Sequence, residues 1–372
     1  VGKSRRRDKE WRLSVWELDK DLTLEDIVKN LQLKYNLPID YLKERKDLHD
    51  LEKTLQNGWH PGNGEDTFKI KEVTIANNKI KYIHAIGYYE KAESKNRAII
   101  ENSGSKDIIV PRHLRVFNRS CEAVFFELSG KVYTVVEVSQ SEAGRVRSVL
   151  FGQGRQENKK EEWKKVNYKD VKQFKFDSKF FYWLLSKIGN EFKYDDKKDY
   201  KLKLFDVSAV AHSTVQEEYD STSIGTNILG SLPALSGLGS NQSVYEAGFT
   251  FKLPNLSLTL KISENSECFI NLDKSRTENG KGESVTVNHD SEYVRVVLTI
   301  YSVLLITLKK TYNSEVSSKS WTINEEESQR KKWGLVVINE LSEENNITLE
   351  DIKDLFKKKE ESQKKLSKLV TK

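Results

Sequence analysis

Arginine is scarce in this chain and unevenly placed. Of 62 Lys and Arg residues only 15 are Arg. Seven of those, Arg97, Arg112, Arg115, Arg119, Arg145, Arg147 and Arg155, fall within 59 residues. A planar guanidinium offers paired donors to a phosphate or carboxylate, which the point charge of lysine does not. Choosing Arg here against a lysine-rich background predicts phosphate contacts, with Arg112, Arg115 and Arg119 as the clamps. Arg145 and Arg147 stand two apart on an expected helix, so a given patch takes at most one of them. The competing expectation is that these arginines pair with Glu122, Glu127, Glu137 and Glu142, because charge runs are mostly solvated faces.

Residues 155 to 204 add 15 basic side chains against nine acidic ones, a surplus of six. Trp163, Tyr168, Phe174, Phe176, Phe180, Phe181, Tyr182 and Trp183 are interleaved with them. Basic residues with aromatics can grip a single strand by phosphate contact and base stacking. Helix-borne aromatics more often face inward, so Phe180, Phe181, Trp183 and Leu184 are expected in the core.

Other chemistry is thinly represented. Glu137 lies on an expected strand and is the candidate catalytic acid of a metal-dependent nuclease. The lysine that would follow it in a Glu-x-Lys strand is missing from Glu137-Val138-Ser139. Gly152-Gln153-Gly154 follows a helix rather than a strand, so it reads as a helix stop and not a dinucleotide loop. Six histidines show no HxH or HxxxH spacing, and Cys121 and Cys268 are isolated. No metal site is expected, the thiols read as buried residues of a reducing cytoplasm, and no motif specifies a cofactor.

Behind these residues stand the elements that must position them. Trp11, Leu13 and Val15 alternate as a short strand after a basic head of Lys3, Arg5, Arg6 and Arg7. Thr23 with Glu25 and Asp26 starts a helix, Pro38 breaks it, and Ile39 to Leu55 is expected to continue as a second helix. Ile80, Tyr82 and His84 follow Asn77-Asn78 as one arm of a hairpin. Ala123 to Leu128 and Lys131 to Val138 flank Ser129-Gly130 as the strongest hairpin in the chain. Ser141 to Phe151 reads as a helix stopped by Gly152. Asp177 or Ser178 caps another, ended by Gly189. Five strands are expected between Leu202 and Val287. Asp290 is expected to cap a buried helix through Val296–Leu308, an apolar run too short for a bilayer. Trp333 to Ile338 reads as a strand, and Thr348 opens a final helix.

Residues 221 to 245 contain no charge, in a chain that is 32% charged. Ile224, Ile228, Leu232, Leu235 and Leu238 recur at helical spacing, interrupted by Pro233 and four glycines. The polar face lacks the Lys and Arg of a membrane-surface helix. A lid, a partner-docking loop, a self-association element or plain disorder is therefore expected, and no membrane anchor.

At 372 residues with a net charge of +6, the expected fold is α+β with mainly antiparallel sheets. It divides into a basic arm and short strand (1–20), an N-terminal domain carrying the arginines (21–172), a second domain carrying the uncharged run (173–315) and a helical tail (316–372). The first twenty residues lack the apolar stretch of a secretory signal, which predicts a cytoplasmic location. The leading functional expectation is a bacterial protein that binds DNA or RNA through the arginines between 97 and 155, in genome defence or nucleic-acid processing. The alternatives are an assembly component docking a partner through 221–245, and a nuclease using Glu137 with a neighbouring carboxylate. Whether the chain is an enzyme stays open at this point.

Overall fold

The hairpin around Ser129-Gly130 forms as its alternation requires, and the rest of the chain is organised about it. The computed structural model describes residues 10–62, 64–100, 107–153, 161–195, 200–213, 220–279 and 282–357. The basic head therefore lies outside the described residues. Ser129 and Gly130 adopt φ of +52° and +74°, the two positive values that a two-residue turn between twisted strands needs.

In chain order the N-terminal elements are β1 (Glu10–Glu17), α1 (Leu24–Leu31), β2 (Tyr35–Pro38), β3 (Thr54–Pro61), β4 (Lys71–Ile75), β5 (Asn78–Ala92), β6 (Val116–Leu128), β7 (Lys131–Glu137) and α2 (Gln140–Phe151). There follow α3 (Ser178–Ser186), β8 (Glu191–Asp195), β9 (Tyr200–Ser213), β10 (Asp220–Ile224), α4 (Leu232–Gly239), β11 (Ser243–Leu253), β12 (Leu256–Ser263) and β13 (Cys268–Asn271). Short strands β14 (Arg276–Glu278) and β15 (Ser284–Thr286) precede α5 (His289–Thr299), a π-helical segment Ile300–Leu304, α6 (Leu305–Ser317) and α7 (Ile323–Asn345). Among the described residues fifteen strands share one sheet, with the main path β8-β9-β11-β12-β13-β1-β7-β6-β5-β3-β2. Its neighbours pair antiparallel. The fold is α+β.

Because side chains alternate across a sheet, its two faces build two cores. Leu13, Val15, Val124, Phe126, Tyr133 and Val135 enter the larger one, where residues of α3 to α7 meet them. Trp16, Ala123, Phe125, Val132 and Val136 enter the smaller one with α1, α2 and Trp163. Phe180, Phe181, Trp183 and Leu184 are buried in the larger core, as expected for helix-borne aromatics. Helix α1 begins with the reciprocal Thr23–Asp26 capping box, and Asp177 caps α3 through the amide of Phe180. The α5–α6 rod is long and apolar enough to cross a membrane, but 72% of its apolar window is buried in the protein.

Three local expectations are corrected. Residues 39–55 are not a helix. Turns lead to the single helical turn Asp50–Lys53 and then to β3, where Leu55 pairs with Leu37. The apolar spacing of Ile39 and Leu42 serves a third small core with Ile99 and Val116, not a helical stripe. Residues 333–338 are helical, inside α7. Their β-branched run is overridden by the Thr322–Glu325 capping box and by tertiary contact. The cap of α5 is Asn288, whose side chain accepts from the amide of Asp290.

The uncharged run is built into the protein. Ile228, Ala234, Leu235 and Leu238 are buried, and α4 lies on α7. A Cβ on Gly239 would stand 3.1 Å from Gly334 Cα, so two helix backbones meet through paired glycines. Much of the apolar surface of 221–245 is covered by this chain itself, while Leu229 and Leu232 are half-buried and Ile224 is 74% exposed.

Candidate functional site

The arginines separate into two groups. Arg115 is fully buried. It donates to the carbonyls of Val110 and Glu52, both at 2.9 Å, and to Glu52 Oε2 at 2.5 Å. Arg112 reaches Glu90 Oε2 at 2.6 Å and the Thr54 carbonyl at 3.1 Å. Both guanidiniums are turned into the protein, where they tie the 110–115 segment to the start of β3 and to β5. Two of the three expected phosphate clamps are thus structural pins, satisfied by backbone carbonyls that sequence does not reveal. Arg97 is exposed beside Glu93 at 3.7 Å. Arg119 is exposed on β6, directly across from Tyr89 on β5. Arg155 lies outside the described residues.

Arg145 and Arg147 do converge, against the expectation that one patch takes only one of them. They flank the side-chain-free strip made by Gly144 on α2 and line one groove of about 1230 Å³. A groove that straddles a helix face can gather residues from both of its edges. Lys43, Lys91, Ser148, Gln153 and Tyr168 also line it. Its acids are Asp40 and Glu142, so the groove carries a surplus of positive charge. Glu142 lies 3.9 Å from Arg145 and 4.0 Å from Lys91. The Arg147 guanidinium sits 3.2 Å above the Tyr168 ring. That cation–aromatic stack presents a planar edge on a Tyr that is 37% exposed.

A second site adjoins the first. Glu142 also lines a crevice of about 310 Å³ with Glu10, Arg12, Tyr89, Cys121, Glu122, Glu137, Ser139 and His289. The alternation that sends Val124 and Val135 into the larger core sends Glu122 and Glu137 to the same face, one pair further along. There α5 begins. His84 Nε2 contacts Glu122 Oε2 at 2.7 Å. His289 Nε2 lies 3.7 Å from Glu122 Oε1 and 3.3 Å from Glu137 Oε2. The four side chains form a row, His84–Glu122–His289–Glu137, that leads from a buried imidazole to the crevice, with exposures of 6%, 22%, 35% and 26% in that order. Among the described residues no three His, Cys, Asp or Glu side chains are arranged to hold a metal ion.

The row is held from all sides. Trp11 meets the His289 ring edge-on at 5.3 Å, and Tyr293 stacks on it at 5.0 Å. The Glu137 carboxylate raises the pKa of His289, with burial opposing and Glu122 and Asp290 adding to the rise. Cys121 is pushed up to about 12 by burial, which makes it an inert thiol. His84 Nδ1 rests against Gly62, where a Cβ would come within 2.2 Å.

Comparison of the chain with protein-family models and with curated proteins gives no match to either. Glu137 was legible in the sequence as a candidate acid. His84, Glu122 and His289 were not, although a charged residue in the core-facing phase of a strand, as at Glu122, is a usable signal. Lys43 and Lys91 carried none, since lysine is everywhere in this chain.

Proposed function

We propose that this protein is a cytoplasmic nucleic-acid-binding protein that holds a single strand in the groove between α2 and residues 37–43. The observation that carries the reading is the convergence of Lys43, Lys91, Arg145 and Arg147 on one groove, against two carboxylates. Cations spaced along a groove follow a phosphate backbone, and a stacked Arg–Tyr pair at its edge offers a platform for a base. The single-strand preference rests on Arg147 and Tyr168, because a base must be unstacked to use them.

Four phosphate contacts on a single strand imply a salt slope of about −2.8, or roughly a fiftyfold loss of affinity between 50 and 200 mM salt. Fluorescence anisotropy with a labelled oligonucleotide measures this. Lys43→Glu combined with Arg145→Glu is expected to flatten the slope by at least about 1.4 and to weaken binding at low salt. Tyr168→Ala is expected to weaken binding at constant slope. An unchanged slope in the charge-reversed protein would remove the groove from consideration.

A further inference from the structure

The crevice beside the groove contains a constellation that binding alone does not use. Two carboxylates and two imidazoles are drawn into one row at the end of a sheet face, next to an opening. Of the four only His84 is buried, and the other three open on the crevice, where they fill no apolar core. The Tyr293 hydroxyl is buried and has no hydrogen-bond partner among the described residues. The Tyr293 ring lies against both imidazoles of the row, 5.7 Å from His84 and 5.0 Å from His289.

The crevice is lined by four carboxylates, of Glu10, Glu122, Glu137 and Glu142, against Arg12 and His289, and the feature in it that could meet a phosphate is a helix start. Helix α2 begins at its edge, and the N-cap Ser139 makes no side-chain bond to the first-turn amides. The Ser139 hydroxyl is instead 3.1 Å from that of Ser141. An uncapped helix start offers N–H groups and the positive end of the helix dipole. Arg12 lines the same crevice, 3.7 Å from Glu267 and over the Phe269 ring, and Arg119 stands across from Tyr89 on the neighbouring strand. Three of the four crevice carboxylates are engaged: Glu122 by His84, Glu137 by His289, and Glu142 by the Tyr89 hydroxyl at 3.3 Å. Glu142 lines both cavities, so the groove and the crevice adjoin.

We infer that the row His84–Glu122–His289–Glu137 is a general acid–base centre that cleaves RNA at a phosphodiester presented from the neighbouring groove. This rests on the groove's being a nucleic-acid site. The Glu137 carboxylate accepts the proton of the ribose 2′-hydroxyl. The 2′-oxygen bonds to phosphorus, the bond from phosphorus to the 5′-oxygen breaks, and His289 Nε2 donates its proton to that leaving oxygen. The products are a 2′,3′-cyclic phosphate and a 5′-hydroxyl. Atoms and charge balance with no water or other co-reactant in the step. Glu137 is left protonated and His289 neutral, and a proton passing back between them across their 3.3 Å contact restores both. The α2 amides face the phosphoryl oxygens. Glu122, fixed by His84, is a positioning residue that keeps a second negative charge on His289. The charged and titratable groups around His289 are Glu137 from β7, Glu122 from β6, Asp290 and Tyr293 from α5, and Glu10 and Arg12 from β1, which line the same crevice.

The test incubates the full chain with an end-labelled single-stranded RNA in EDTA and, in parallel, measures affinity for its 2′-O-methyl analogue, which cannot react. Cleavage to cyclic-phosphate ends is expected. His289→Gln and Glu137→Gln should each slow it at least about a hundredfold, while both bind the analogue within twofold of the parent, which also reports that they fold. Glu122→Gln should move the alkaline limb of the pH–rate profile to lower pH, an effect that a merely structural role would not produce. RNA that is bound yet stays intact overturns the inference and leaves the groove standing. Failure to bind the analogue overturns both. Cleavage that requires a divalent ion, cuts DNA equally or persists in His289→Gln also overturns the proton-transfer centre.

Discussion

Replacing Arg115 by Ala separates a structural pin from a ligand clamp. Its guanidinium is fully buried and satisfies two carbonyls, of Val110 and Glu52, together with the Glu52 carboxylate. Removing one member of a buried charge pair costs about 3 to 5 kcal/mol. Glu52 is 40% exposed and can rehydrate, which places the loss near the lower end, about 3 kcal/mol. That is a factor of about 150 in the folded-to-unfolded ratio. With a urea slope near 3 kcal/mol/M for a chain of this size, the unfolding midpoint should fall by about 1 M. Arg115→Lys should recover less than half, because an ammonium cannot hold both carbonyls and the carboxylate in one plane. The folded variant should bind oligonucleotide within about twofold of the parent. A midpoint that does not move, with affinity down tenfold, would refute the assignment and return Arg115 to the ligand.

Two further outcomes follow from the packing and the titration of named groups. Gly237→Ala would place a Cβ 2.2 Å from His212 Nε2, on an imidazole only 3% exposed. Overpacking of this kind costs about 1 to 3 kcal/mol, and His212→Ala in the same chain should restore part of the lost melting temperature. His289 has a pKa raised above 6.5 by the Glu137 carboxylate first of all. Its contribution to stability is therefore complete below its unfolded pKa and is lost as pH rises through the folded one. Urea midpoints of the parent should decline over that window relative to those of His289→Gln, and parallel pH profiles would show that the pair is not formed.

Much of the scaffold was legible because local chemistry and tertiary demand agree there. Thr23, Asp177 and Gly152 mark helix ends, and Ser129-Gly130 marks a turn, by mechanisms confined to a few residues. Legibility failed where distant contacts decide. Ile39 and Leu42 look helical but fill a core completed by Ile99 and Val116. Leu335, Val336, Val337 and Ile338 look like a strand but are carried in α7. The site followed the same division. Arg145 and Arg147 were found by type, whereas burial of Arg112 and Arg115 depends on carbonyls of Thr54, Val110 and Glu52, up to 63 residues away. The His–Glu row is assembled from β5, β6, β7 and α5, and no spacing rule spans the 152 residues between Glu137 and His289.

The position of β1 has a consequence for how the chain comes to be folded. The first strand lies in the interior of the sheet, pairing Val15 with Val135 of β7 and Trp11 with Ile270 of β13. At about 5 to 20 residues per second, a ribosome reaches β13 roughly 13 to 50 s after completing β1. For that interval the backbone groups of Glu10–Leu13 that later meet β13 form an open edge, and Trp11 lacks its cover. Such edges template association with other chains, and pairings so distant in sequence form slowly. A nascent chain of this protein is accordingly a substrate for chaperones until its last sheet strands emerge, and truncations ending before residue 268 should be recovered as aggregates.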